Sequence, residues 1–264
     1  MADTLAEHNA AALEGRKVFF LHPHSVLNED LLVEILSHEY EVYSLRDHET
    51  AARIATKFAG SIFFVNIDEA LRESQWESWI RRLMSQKATA SARVGIMTYN
   101  PDPEVARKYL MEVGIPCGYI QLKLGTAEGK SIILKTLAAN EARGRRQFVR
   151  ARCTDQRKAS FNVTVRGAHL TGKILDISVA GMSIRFDMTV PLRPHEVLDD
   201  VQLRLRGTLC RLGATFAGAL HGGSDRFLLM FHTPLSDDVR SKIHRFIFLA
   251  LQEEMAEFIR TLKP

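Results

Sequence analysis

The apolar residues of this chain keep two different rhythms, and the change between them limits the fold more than any other feature. Up to about residue 142, short apolar runs alternate with stretches whose apolar residues recur every three or four positions. From about residue 158 they recur every second position. The first rhythm builds strands buried on both faces and amphipathic helices; the second builds strands with one buried face. At 264 residues the chain is long enough for two domains, each with its own core. The expected boundary falls near residue 140, giving domains over 1–140 and 141–264.

The first domain reads as five strands alternating with helices. Strands are expected at KVFFL (17–21), YEVYSL (40–45), SIFFVNI (61–67), RVGIMTY (93–99) and CGYIQLK (117–123). Between them, Leu31, Leu32, Ile35 and Leu36 share one helix face, with Asn28 placed to cap. Ala51, Ile54, Ala55 and Phe58 share the next face, behind Asp47 as cap. Trp76, Trp79, Ile80 and Leu83 share the third. Asp102 followed by Pro103 opens a fourth helix that Gly114 closes, and a fifth runs from about Thr126 to Ala142. Strict strand–helix alternation predicts a parallel sheet with helices on both faces, a flavodoxin-like α/β sandwich.

In count and length this half resembles the receiver domains of two-component signalling. Receivers hold magnesium with acidic residues after the first strand; here that place reads His22, Pro23, His24, Ser25. At the phosphoacceptor position, after the third strand, stand Asn66 and Asp68. The hydroxyl and lysine of the family are matched by Thr98 and Lys123. Two histidines substitute poorly for carboxylates at magnesium. The resemblance therefore implies a degenerate receiver without phosphotransfer, and His22 and His24 read as polar loop residues. No phosphate-cradling glycine motif is present.

In the second domain Phe161, Val163 and Val165 alternate with polar residues, as do Met182, Ile184 and Phe186, and then Val201, Leu203 and Leu205. FLLMFH (227–232) reads as a buried strand. Several short period-two strands predict an antiparallel sheet closed into a small barrel. A long helix follows, capped by Ser236, with Val239, Ile243, Phe246, Ile247, Ala250, Phe258 and Leu262 as its apolar stripe.

The junction between the domains is basic. From Arg143 to Arg166 there are eight Lys or Arg and one acid, Asp155, against a formal charge of only +4 for the whole chain. So local an excess points to an anionic partner or a solvated linker. Within it, RQFVR places Arg146 and Arg150 four apart, an RxxxR. Twenty-six residues after Arg150, DISVAG supplies Asp176, Ser178 and Gly181, a DxSxxG. An RxxxR just ahead of a small barrel and a DxSxxG after the next strand resemble the PilZ domain, a family that binds cyclic di-GMP.

The resemblance covers roughly 143–262 and implies a cyclic di-GMP site of Arg145, Arg146, Arg150, Asp176, Ser178 and Gly181. The chemistry agrees. A guanidinium fork pairs with phosphate or with guanine O6 and N7. A carboxylate accepts from guanine N1–H and its amino group, and a serine adds a hydroxyl. Gly181 would let the chain turn or admit a base against the backbone. Arg143 and Arg152 have no place in the motif.

The function expected is a bacterial cyclic di-GMP receptor, not an enzyme, that passes a conformational change to an unidentified protein partner in motility, biofilm or virulence control. Three rivals are a PilZ-like protein scaffold that has lost the nucleotide, an enzyme using His22 and His24, for which nothing else in the sequence speaks, and a DNA-binding response regulator. Against the latter, the charge lies on a loop before a barrel rather than on a recognition helix. No cofactor, metal site or nucleic-acid polymer is expected, and the protein would be a monomer or homodimer. Cys117, Cys153 and Cys210 are too scattered for a disulfide framework or zinc site. The N-terminus lacks signal-peptide character and no apolar run approaches a membrane span, so a cytoplasmic protein is expected.

Overall fold

A computed structural model describes residues 15–23, 29–122, 126–153, 155, 157–188, 192–220 and 225–262. It divides into two compact units. The larger runs through Gln147 and also takes in the chain from Met255; the smaller is Phe148–Glu254.

In the larger unit, strands β1 (Val18–Leu21), β2 (Val42–Leu45), β3 (Ile62–Asn66), β4 (Arg93–Thr98) and β5 (Tyr119–Gln121) form a parallel sheet in the order β2-β1-β3-β4-β5. This is the flavodoxin order, with its switch point between β1 and β3. Helices α1 (Glu29–Ser37), α2 (His48–Lys57), α3 (Glu73–Ser85), α4 (Pro103–Arg107) and α5 (Thr126–Ala139) alternate with the strands. The expected stripes on α1, α2 and α3 are buried, except Phe58, which caps α2 at only partial burial. Asp47 caps α2 by accepting from the Thr50 N–H at 2.7 Å. Asp102 caps α4. The expected single fourth helix instead passes into a π-helical turn, Lys108–Val113, before Gly114 closes it at φ 72°. The wider turn buries Tyr109 fully and anchors Lys108 to Glu73 and Glu77 at 2.6 and 3.0 Å, leaving Leu110 and Met111 exposed. Asn28, His24, Ser25 and Lys123 lie outside the described residues.

The smaller unit is an antiparallel barrel. Strands β7 (Ala159–Val165), β8 (Ala168–Ser178), β9 (Gly181–Phe186), β10 (Glu196–Leu205), β11 (Thr208–Ala219) and β12 (Phe227–Phe231) pair in the order β8-β7-β10-β11-β12-β9, and β9 closes the ring on β8. A two-residue strand, β6 (Ala151–Arg152), adds to β8. The interior takes Phe161, Val163, Leu170, Ile174, Ile184, Val201, Leu203, Leu212 and Phe216. Gly172 is on this inner face because any Cβ there would meet the Phe161 ring at 2.7 Å. β12 differs from the expected wholly buried strand. Leu229 and Phe231 point inward and are buried, while Met230 is exposed, because a barrel wall has only one dry face.

Helix α6 (Asp237–Thr261) follows. Val239, Ile243, Phe246 and Ile247 are buried as expected, and so are Phe248, Leu251 and Met255. Ala250, Phe258 and Leu262 are half-buried. Beyond Met255 the helix belongs to the larger unit, where the rings of Phe258 and Phe58 are 5.2 Å apart.

Within the smaller unit, Glu253 on α6 accepts from Lys158 and from Arg206, each at 2.9 Å. Hydrogen bonding from the Arg206 guanidinium, seconded by Lys158 and opposed by burial, holds the Glu253 carboxyl below its ordinary value of 4.5. A depressed carboxyl stabilises the fold above its unfolded pKa, and that contribution is lost as pH falls through the folded value. The side chain is 44% exposed, so solvent weakens the network. Glu253→Gln is expected to cost less than about 1 kcal/mol at neutral pH. In thermal melts the gap between variant and wild type should close as pH drops below 4.5.

Candidate functional site

The barrel wall between β6, β8 and β9 assembles most of the residues singled out from the sequence. Its geometry depends on a β-bulge. Ile174 pairs with Ile184, but the next cross-strand pair is Asp176 with Ser183, so Leu175 is an extra residue on β8. Before the bulge the even-numbered residues Leu170, Gly172 and Ile174 face inward. After it the parity reverses, Ile177 faces inward, and Asp176 and Ser178 turn to the outer face. Ser183 and Arg185 of β9 share that face, because Met182 and Ile184 fill the interior.

β6 brings the junction to the same wall. Ala151 pairs with Ile177 and faces in; Arg152 pairs with Asp176 and faces out. The Cys153 N–H donates to the Leu175 carbonyl at 2.8 Å and holds the ladder one step further. Arg150 immediately precedes β6 in the chain. Arg150 and Arg152 are exposed, and neither makes a hydrogen bond or ion pair among the described residues. Arg145 and Arg146 are also exposed but stand in the larger unit; the division between the units falls inside the RxxxR.

The eight basic residues of the junction now separate by role. The Arg143 guanidinium lies 5.0 Å from the centre of the Tyr40 ring. Arg157 pairs with Asp155, Lys158 with Glu253, and Arg166 with Glu196 at 2.5 Å. Arg145, Arg146, Arg150 and Arg152 are the exposed arginines at the RxxxR and on β6.

Asp176 accepts a hydrogen bond from the Ser183 hydroxyl. Ser178 is buried. Its Oγ accepts from the Ala180 N–H and donates to the Gly181 carbonyl, each at 3.3 Å, which fixes the β8–β9 hairpin. Gly181 is placed by packing. Its φ is outside the left-handed region, and a Cβ there would lie 2.4 Å from the Leu229 carbonyl oxygen of β12. Half-buried Cys153 has its thiol pushed up to about 12, by desolvation first and then by the charge of Asp176. It is thus a neutral neighbour of the carboxylate.

Sequence reasoning set Arg152 aside and did not single out Ser183. Arg152 carried a readable signal only in its even spacing from Arg150; the contact of Ser183 with Asp176 depends on a bulge that spacing does not reveal.

The strand ends of the larger unit are arranged differently from a phosphoacceptor site. Asn66 is fully buried and donates to the His22 carbonyl at 2.9 Å. Both oxygens of Asp68 are engaged: one accepts from the Thr98 hydroxyl, the other from the Tyr99 N–H at 2.7 Å. The His22 ring lies edge-on to Trp76, and burial lowers its pKa. Among the described residues no group of three His, Cys, Asp or Glu is set to hold a metal ion. Incubation with acetyl phosphate and magnesium is expected to leave the intact mass of the protein unchanged; a phosphoryl adduct on Asp68 would contradict that. The three cysteines are free thiols. Among the described residues no helix is long and apolar enough to cross a membrane.

No curated protein matches the chain. Among solved structures, the PilZ domain of YcgR from Escherichia coli with c-di-GMP is 16% identical, covering 45% of this chain and 99% of that one, with TM-score 0.36. The MrkH–c-di-GMP complex of K. pneumonia is 17% identical over 46% of this chain and 56% of that one, with TM-score 0.33. The chemotaxis response regulator CheY4 of Vibrio cholerae is 16% identical over 48% of this chain and 98% of that one, with TM-score 0.38. The family model described as "PilZ domain" matches residues 144–249, which include the whole RxxxR, the DxSxxG and every strand of the barrel. Residues 144–249 match the PilZ domain family, and a parallel α/β domain of flavodoxin strand order precedes them.

Proposed function

We propose that the chain is a cyclic di-GMP receptor and that Arg145, Arg146, Arg150, Asp176, Ser178 and Gly181 form its site. The observation that carries this reading is the pairing of β6 with β8. It sets the strand that directly follows the RxxxR against the outward-turned half of DxSxxG, with Arg152 and Asp176 on one face. A dianion with two guanine bases needs both kinds of group, forks for phosphate and for the guanine O6/N7 edge and a carboxylate for N1–H. Arg146 is four residues from Arg150, so the covalent chain alone keeps its Cα within about 14 Å. The segment is long enough to close over a ligand lying on the wall. Arg152 joins the same face and adds a further phosphate contact. Ser178 acts by holding the hairpin, and Gly181 by letting β9 approach β12.

The expected consequence of binding is a change in how the two domains are disposed, because the ligand takes arginines from both sides of the unit boundary. That change would present or withdraw a surface for a protein partner, and it requires the ligand to prefer one arrangement. The chain then acts as a receptor and not as an enzyme. Calorimetric titration of cyclic di-GMP into the full chain, with cyclic di-AMP and GTP as controls, tests binding. Small-angle scattering with and without ligand tests the rearrangement; superimposable curves at saturation would remove it.

A further inference from the structure

The larger unit holds a cavity of about 520 Å³, a size that admits a small organic ligand. It opens at the N-terminal edge of the parallel sheet, opposite the strand ends that carry His22, Asp68 and Thr98. Arg16 enters it from just before β1, and Arg93 from the first position of β4. Met84 and Pro116 supply apolar wall, and Ser91 stands at the rim.

The two guanidiniums are oriented but not neutralised. Arg16 donates through Nε to the Asn140 carbonyl at 3.0 Å and through Nη1 to the Gly60 carbonyl at 2.9 Å. Arg93 donates through Nη1 to Asn140 Oδ1 at 2.9 Å, which leaves its Nε and Nη2 edge for a further acceptor. All three acceptors are uncharged. No carboxylate lines the cavity, and neither arginine forms an ion pair among the described residues. Three other partly buried cations contrast with this: Lys17 is matched by Glu41, Lys108 by Glu73 and Glu77, and Arg206 by Glu253.

Arg93 adds its charge to burial in lowering the Arg16 pKa, and the opposing field of Glu141 is the weaker. Bringing like charges together in a concave, partly desolvated place costs free energy unless an anion joins them. Gly60 serves the arrangement directly, since a Cβ there would lie 2.5 Å from Arg16 Nη1. The Ser91 hydroxyl accepts from the Gly60 N–H at 3.1 Å, so its own proton is free to donate.

We propose that this cavity binds the phosphoryl group of a small organophosphate, with Arg16 and Arg93 supplying charge, Ser91 a hydrogen bond and the Met84–Pro116 wall the contact for the organic part. Two cationic groups match a dianionic phosphoryl better than a single carboxylate, and the volume exceeds that of an inorganic ion. Asn140 is held by both guanidiniums just ahead of the junction, so occupancy bears on the root of the RxxxR segment.

The test uses the full chain carrying Arg145→Ala, Arg146→Ala and Arg150→Ala, so that the junction does not compete for phosphate. AMP and inorganic pyrophosphate are titrated calorimetrically at low salt. Saturable one-to-one binding of AMP is expected. Adding Ala90→Glu, which places a carboxylate at the exposed rim without touching the arginines' hydrogen bonds, should weaken it at least tenfold with an unchanged melting temperature. Arg93→Gln should weaken AMP binding by at least as much, at some loss of melting temperature from the Asn140 hydrogen bond it gives up. Absence of saturable AMP binding, or binding indifferent to Ala90→Glu, overturns the proposal. Binding of pyrophosphate but not AMP overturns its organophosphate part and leaves an inorganic-anion site.

Discussion

Replacing Arg146 and Arg150 together by alanine is expected to weaken cyclic di-GMP binding at least about a hundredfold. Each charge-assisted hydrogen bond to a phosphate or guanine edge contributes about 1.5–3 kcal/mol net. A loss of 1.4 kcal/mol is tenfold in affinity, so two arginines acting on separate groups give the square of that. Arg150 is exposed and holds nothing else among the described residues, so Arg150→Ala alone should leave the melt unchanged. Arg150→Lys separates two explanations: it keeps the charge and removes the fork, so a loss close to that of alanine would show that planar, paired donation is what matters. Arg152→Ala should cost less, as one contact in the wall. If the double variant binds like wild type, the RxxxR is a solvated linker and the site is elsewhere. If wild type fails to bind although its melt is cooperative, the receptor reading fails as a whole and the protein-scaffold rival takes its place.

The second large effect is expected at Gly181, and it concerns folding. Gly181→Ala places a Cβ about where the Leu229 carbonyl oxygen already lies, 2.4 Å away, and close to the Met230 Cα at 3.3 Å. Both neighbours are backbone, so neither can swing aside. The strand pair β9–β12, which runs from Gly181–Met230 to Ile184–Phe227, would have to part at its first step. Overpacking of this kind costs about 1–3 kcal/mol. In a domain of this size each kcal/mol lowers the melting temperature by about 4–8 °C. Affinity measured on the fraction still folded, well below the new midpoint, should stay within a few-fold of wild type. The opposite pattern, an unchanged melt with lost affinity, would mean that the glycine admits a base of the ligand against the backbone.

How far the chain could be read in advance depends on how local each signal is. The stripe Trp76, Trp79, Ile80 and Leu83 is a helix wherever it docks, and runs such as SIFFVNI can be buried strands whatever lies beside them. Both domains were legible for that reason. The RxxxR and DxSxxG were legible as spacings of unusual residue types. What spacing hides is pairing. Two residues, Ala151 and Arg152, carry no strand propensity that a reader could weigh, and they become a strand only because the outer half of β8 offers an unpaired edge. One surplus leucine in KILDIS looks like any other apolar residue, although the bulge that absorbs it decides which way Asp176 points. FLLMFH reads as uniformly buried because composition cannot distinguish the wet wall of a barrel from its dry one. The Arg16–Arg93 pair was invisible for another reason: its members stand far apart in sequence and meet only where β1 and β4 begin.

Leu175 also shapes how this chain can change over generations. On a strand, address is a matter of odd and even. Deleting Leu175 would make Ile174 and Asp176 neighbours in the register they already hold against Ile184 and Ser183, so Asp176 and Ser178 would keep the outer face and Ile177 the inner one. An insertion further along β8 that no second bulge absorbed would instead exchange the two faces for every residue after it. The segment should therefore tolerate loss of its surplus residue, or another residue in its place, better than it tolerates one more residue between Asp176 and Ser178.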